Sequence, residues 1–125
     1  MTTTDDTAPG RRILVADDDP DLLELITRRL SRAGYRVISA ANGQQALDLV
    51  REHSPDMAVL DVMMPKLTGL EVLWRLRAEP ATAEMLIVLL SAGQFGPAAA
   101  ADDYVRKPFQ QGELVTRIEA LFART

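Results

Sequence analysis

Asp61 closes the almost wholly apolar run Met57-Ala58-Val59-Leu60, and a second apolar run, Ile13-Leu14-Val15-Ala16, likewise ends in carboxylates, Asp17-Asp18-Asp19. Runs that apolar read as strands buried on both faces, so the acids at their ends are held by rigid elements and aimed past a sheet edge. That is the edge where open α/β sheets do their chemistry. Three clustered carboxylates repel by about 3 kcal/mol per pair at roughly 5 Å and an effective dielectric of about 20. They need a cation. Oxygen donors with no His or Cys beside them favour a hard ion, and a site that engages phosphate favours Mg2+ over Ca2+.

Two further polar residues stand where later strands are expected to end, Ser91 and Lys107. A hydroxyl donor and a point positive charge suit phosphoryl oxygens. With the incoming charge neutralised, Asp61 can attack phosphorus in line and form an aspartyl phosphate.

Plainer explanations account for other residues. Asp19 precedes Pro20 and reads as a helix cap. Asp17 and Asp18 are not at the cap, and the loop from Pro65 to Gly69 places Asp61 too far upstream to cap the helix that follows. Ser91 and Lys107, taken singly, are an ordinary strand-end hydroxyl and a surface cation; only the joint pattern marks them. Tyr104 alone reads as core packing. His53 ends a helix, where a cation suits the dipole. Trp74 and Met63-Met64 read as packing and loop residues.

The elements that must position these groups follow from periodicity. Strands are expected at 12–16, 35–40, 57–60 with Asp61 at the tip, 85–90 and 103–106. The first helix carries the stripe Leu22, Leu23, Ile26 and Leu30 and is ended by Gly34. Asn42-Gly43 marks a turn, followed by helices at 44–53, 70–78 and 111–123. Strands separated by helical stretches predict a doubly wound, five-stranded parallel sheet, because parallel neighbours need crossovers. The interval 92–102 supplies barely the length of a crossover, and Gly93, Gly96 and Pro97 discourage a helix before Ala98. The fourth crossover helix is therefore expected to be shortened or absent, leaving the sheet near Leu89 and Val105 less well covered. A partner, a second copy of the chain or Phe95 would then cover it.

The chain has 125 residues, 47% hydrophobic and 26% charged, which fits one domain that buries roughly two thirds of its surface. Residues 1–10 are polar and aperiodic and read as a disordered tail before a domain at 11–125. A formal charge of −4 argues against direct binding to nucleic acid or an anionic membrane. No cysteine is present, which excludes disulfides and thiolate metal sites. No apolar run approaches the about 20 residues of a membrane span. A soluble, cytoplasmic protein is expected.

Residues 11–124 resemble the receiver domain of two-component response regulators. The resemblance is carried by Ile13-Leu14-Val15-Ala16-Asp17-Asp18-Asp19, by Asp61-Val62-Met63-Met64-Pro65 through Gly69, by Leu90-Ser91-Ala92 and by Asp103-Tyr104-Val105-Arg106-Lys107-Pro108-Phe109. It implies a flavodoxin-like strand order 2-1-3-4-5. It implies that Asp61 accepts phosphate from a histidine kinase or phosphotransfer protein, and that Asp17, Asp18 and Asp61 hold Mg2+ with the Met63 backbone carbonyl. Ser91 and Lys107 would contact the phosphoryl group, Tyr104 would repack when Ser91 moves, and Lys107-Pro108 would be cis. Output would pass to a downstream protein or a homodimer. No effector fits after Thr125, so the sequence suits a stand-alone or an excised receiver.

Three other functions share part of this pattern. A Mg2+-dependent phosphohydrolase of the haloacid dehalogenase type also uses a strand-tip Asp, but carries a second Asp two residues on, where this chain has Met63. A flavin binder needs a phosphate-cradling loop after the first strand, where Asp17-Asp18-Asp19 would repel phosphate. A receiver-shaped interaction module that is never phosphorylated is opposed by the intact acidic site.

Overall fold

The computed structural model describes residues 10–92, 100–110 and 112–124. Its five strands are β1 (Arg12–Ala16), β2 (Arg36–Ala40), β3 (Met57–Asp61), β4 (Leu86–Ser91) and β5 (Asp103–Arg106). They form one parallel sheet in the order β2-β1-β3-β4-β5. Four helices are described: α1 (Pro20–Arg32), α2 (Gly43–His53), α3 (Gly69–Ala78) and α4 (Glu113–Ala123). This is the doubly wound, flavodoxin-like architecture that the sequence implies. Among the described residues no helix is long and apolar enough to cross a membrane.

Local chemistry sets the helix ends. The Asp19 carboxylate accepts from the Asp21 and Leu22 amides at 3.0 and 3.4 Å, and Pro20 opens α1 without losing a needed donor. After Ala33 the chain turns at Gly34, where φ is 100°. Thr68 and Glu71 form a reciprocal capping box, with Glu71 N to Thr68 Oγ1 at 3.1 Å and Thr68 N to Glu71 Oε1 at 2.8 Å. That box starts α3 at Gly69, one residue before the expected Leu70. Strands β2 and β4 each begin one residue later than expected, at Arg36 and Leu86.

Side chains alternate between the two sheet faces. Leu14, Ala16, Ala58, Leu60, Ile87 and Leu89 pack under α2 and α3, against residues such as Leu47, Val72 and Leu76. Ile13, Val15, Met57, Val59, Val88 and Leu90 pack under α1 and α4, against Ile26, Leu30, Ile118 and Leu121. Each fully buried Leu or Ile contributes about 1.5–3 kcal/mol relative to exposure. A cut such as Leu60→Ala would cost about 2–5 kcal/mol. At the start of the fold, the Arg11 guanidinium lies 4.4 Å over the Phe122 ring of α4, beside Tyr35. On α3, Trp74 is 60% exposed.

Three expectations fall wholly or partly outside the described residues: the tail at 1–10, the shortened crossover at 92–102, and the start of the last helix at Gln111. Among the described residues no helix separates β4 from β5, and Ala100 to Asp102 form a turn and bends. Leu89 and Val105 are both fully buried, and Phe95, one of the groups expected to cover that face, lies outside the described residues. Ala100, Ala101 and Tyr104 pack against the cluster that holds Leu89, and Val105 belongs to the cluster beneath α1 and α4. Arg77 of α3 fastens this region. Its guanidinium donates to the carbonyls of Ala83, Met85 and Ala100 and to Asp102 Oδ2, the last at 2.9 Å. Asp102 Oδ2 also accepts from the Ile87 amide at 2.8 Å, extending the ladder into β5.

Candidate functional site

Parallel pairing puts every strand's C-terminal end on one edge, and the sequence leaves a polar residue at the ends of β1, β3, β4 and β5. β1 and β3 are neighbours with Ala16 opposite Leu60, so Asp17 and Asp61 emerge side by side. Asp17 and Asp61 are buried and Asp18 is exposed, and one carboxylate oxygen from each lies within 4.8 Å of the others. The Asp17 backbone is fixed by its amide donating to Ala40 O at 3.1 Å, and its Oδ1 accepts from the Asp19 amide at 2.9 Å. Asp19 itself is a helix cap.

Lys107 closes the pocket from the end of β5. Its Nζ lies 2.9 Å from Asp17 Oδ2 and 3.3 Å from Asp61 Oδ1. Its own amide donates to Ser91 O at 2.7 Å, which ties the ends of β4 and β5 together. The Lys107–Pro108 peptide is cis. Ser91 is buried at the tip of β4. Tyr104 pairs with Leu89 across the sheet, so it shares the α2–α3 face with Leu89 and with Ser91 two residues on. It is partly buried and packs against the core there.

Burial, and then the neighbouring Asp17 charge, push the Asp61 carboxyl up to about 6, while Lys107 and the Met63 backbone amide work the other way. Burial works against the Lys107 charge, but the hydrogen bond and charge of Asp17, followed by those of Asp61, hold its ammonium above the ordinary lysine range. The acids are therefore short of positive charge with only one lysine among them. Three convergent carboxylate oxygens, with no nitrogen or sulfur donor in the cluster, fit a hard divalent cation.

The loop that leaves Asp61 is boxed in by backbone contacts. Val62 N donates to Leu90 O and Gly69 N to Val62 O, each at 2.9 Å. A Cβ at Gly69 would sit 2.4 Å from Asp61 O, so α3 starts against the carbonyl of the acid itself. The Met63 side chain is 64% exposed at the rim. A groove of about 500 Å³ opens beside Lys107, lined by Leu22, Leu25, Arg29, Ala92, Pro108 and Phe109.

The structure thus brings Asp17, Asp18, Asp61 and Lys107 together, with Ser91 at the adjoining strand tip. Tyr104 lies further down β5, and His53 lies at the opposite end of the sheet, where its carbonyl accepts from Arg12. Sequence reasoning passed over Gly43. Asn42-Gly43 signals a turn, but only the structure shows that a Cβ there would meet Leu67 O at 1.9 Å.

The family model for the response regulator receiver domain matches residues 13–119. The response regulator MprA of Mycolicibacterium vanbaalenii is 46% identical over 118 residues, spanning 91% of this chain and 51% of that protein. The alkaline phosphatase synthesis transcriptional regulatory protein PhoP of Bacillus subtilis is 38% identical over 120 residues, spanning 93% and 50%. The chain spans about half the length of the curated relatives it matches. Among solved structures, response regulator TrrA of Thermotoga maritima, in complex with Mg(2+)-BeF, superposes with a TM-score of 0.81 at 36% identity, over 89% of this chain and 98% of that one.

Proposed function

Because this chain belongs to the response regulator receiver domain family, we propose that Asp61 is its phosphoacceptor and that the acyl phosphate switches what the domain binds. The observation that carries this reading is a buried strand-tip carboxylate flanked by a second buried acid and a lysine. An Asp61 oxygen attacks the phosphorus of a phosphohistidine on a kinase or phosphotransfer protein. The O–P bond forms as the P–N bond breaks, and the imidazole leaves with a proton. With its carboxyl raised to about 6, Asp61 is still mostly ionised at pH 7 and able to attack.

Asp17, Asp18 and Asp61, with the Met63 carbonyl, would hold Mg2+, which supplies positive charge against the phosphoryl oxygens. The donor set supports that assignment, and so does TrrA, a relative seen with Mg(2+)-BeF. Lys107 would pair with one phosphoryl oxygen, and the Ser91 hydroxyl would donate to another. Drawing Ser91 toward the phosphoryl group vacates space on the face shared with Tyr104, and repacking of Tyr104 carries the change to a downstream protein or a second copy of the chain. The protein would act in the cytoplasm, where kinase and acetyl phosphate are found.

Incubation with acetyl phosphate and Mg2+, followed by intact mass measurement, should add one phosphoryl group to the wild type. Asp61→Asn should take up none. An Asp61→Asn protein phosphorylated at the wild-type rate would overturn the assignment.

A further inference from the structure

The turn between β2 and α2 contributes no side chain to the acidic pocket, yet it bridges the two strands that do. At one end, Ala40 O accepts from the Asp17 amide at 3.1 Å. At the other, the Gly43 amide donates to Pro65 O at 3.4 Å, and Leu67 N donates to the same carbonyl at 2.9 Å. Between them the turn is closed on itself, with Gln45 Oε1 accepting from Ala41 N at 2.7 Å and Asn42 Oδ1 from Gln45 N at 2.8 Å. Gly43 is buried, and a Cβ there would lie 1.9 Å from Leu67 O, 2.6 Å from Leu67 C and 2.7 Å from Leu67 Cβ. The nearest of these atoms are backbone, so they cannot swing aside as a side chain tip would.

We infer that Gly43 is a positioning residue: by letting the start of α2 touch the Leu67 backbone, it fixes the spacing between Asp17 and the loop that carries Met63 away from Asp61. The inference rests on the reading of the pocket as a metal and phosphoryl site. Adding a methyl group must push the loop outward or α2 backward. Either movement changes the distance between ligands that come from different strands. Helix propensity alone would favour alanine here, so a loss cannot come from α2 itself.

The test compares Gly43→Ala with Val50→Ala, a cavity-forming change in the core on the same helix that leaves the loop contact intact. Mg2+ affinity by calorimetry should weaken roughly tenfold or more in Gly43→Ala, as when a group supporting metal ligands is lost. In Val50→Ala it should stay within about twofold. In metal-free protein, amide exchange at Leu67 and Gly69 should accelerate in Gly43→Ala beyond its change in global stability. Wild-type Mg2+ affinity in a folded Gly43→Ala, or an equal loss in Val50→Ala, overturns the inference. Should Gly43→Ala not fold, Asn42→Ala, which opens the turn without adding atoms, should weaken Mg2+ binding in the same direction, and an unchanged affinity there also overturns it. If the wild type takes up no Mg2+, the reading of the pocket falls. The metal-free exchange data then decide the buttress: acceleration upholds it, and unaltered exchange removes it.

Discussion

Lys107 Nζ stands closer to Asp17 Oδ2, at 2.9 Å, than to Asp61 Oδ1, at 3.3 Å. The lysine therefore neutralises the same acid that a metal ion would use. Lys107→Ala should leave Mg2+ affinity unchanged or tighten it by up to about tenfold, since a competing positive charge is gone. The conformational response to phosphorylation should be impaired. Calorimetry with Mg2+ checks the first half, and a variant that binds no Mg2+ would show the lysine to be misassigned.

Asp61 makes stability depend on pH in a definite direction. Its folded value of about 6 lies above the unfolded 3.8, so between these values the folded state keeps a proton that the unfolded state has released. Stability should fall as pH rises through that window, by roughly 1–3 kcal/mol at about 1.4 kcal/mol per pKa unit. Asp61→Asn should flatten the slope, raise the metal-free melting temperature at pH 7 and shrink the further rise on adding Mg2+. Identical metal-free melting curves for the two proteins at pH 7 would count against a crowded acidic pocket.

Ser91→Ala separates acceptance of the phosphoryl group from the response to it. Ser91 is buried at the tip of β4, and in the proposed reaction Asp61, not Ser91, attacks phosphorus. Phosphorylation by acetyl phosphate should proceed to a similar extent, while chemical-shift changes around Tyr104 should be blunted. A Ser91→Ala protein whose Tyr104 region responds like the wild type would remove Ser91 from the switch.

Arg77 gathers three carbonyls and the Asp102 carboxylate around one partly buried guanidinium. Arg77→Ala should cost about 1.5–3 kcal/mol in urea unfolding, the range for hydrogen bonds to a charged group. Arg77→Lys should recover little, because a single ammonium cannot span that fork of acceptors. A loss below about 0.5 kcal/mol would place Arg77 with ordinary surface charges.

The strands were legible because residues such as Val59 and Leu60 face opposite sides of a sheet that is covered on both, so their runs stay apolar throughout. The convergence of Asp17 with Asp61 was legible for a related reason: a parallel sheet puts all its C-terminal ends together. Strand and helix ends shifted by a residue where a local bond decided the matter, as with the Thr68–Glu71 box. Arg77 was hidden, because an arginine at the end of a helix carries no mark of the carbonyls that chain folding brings to it. Gly43 was half visible: its dipeptide announces a turn, but the Leu67 backbone that forbids a side chain lies 24 positions away in sequence.

The chain contains one tryptophan, and it sits on α3, the helix whose first residue presses against the carbonyl of Asp61. Trp74 is 60% exposed, so its indole samples both water and the helix surface, a setting in which emission shifts readily. The protein thus carries its own optical reporter one and a half helical turns from the acid loop, with no second indole to blur the signal. Stopped-flow fluorescence on the unlabelled chain can follow any tilt of α3 in real time.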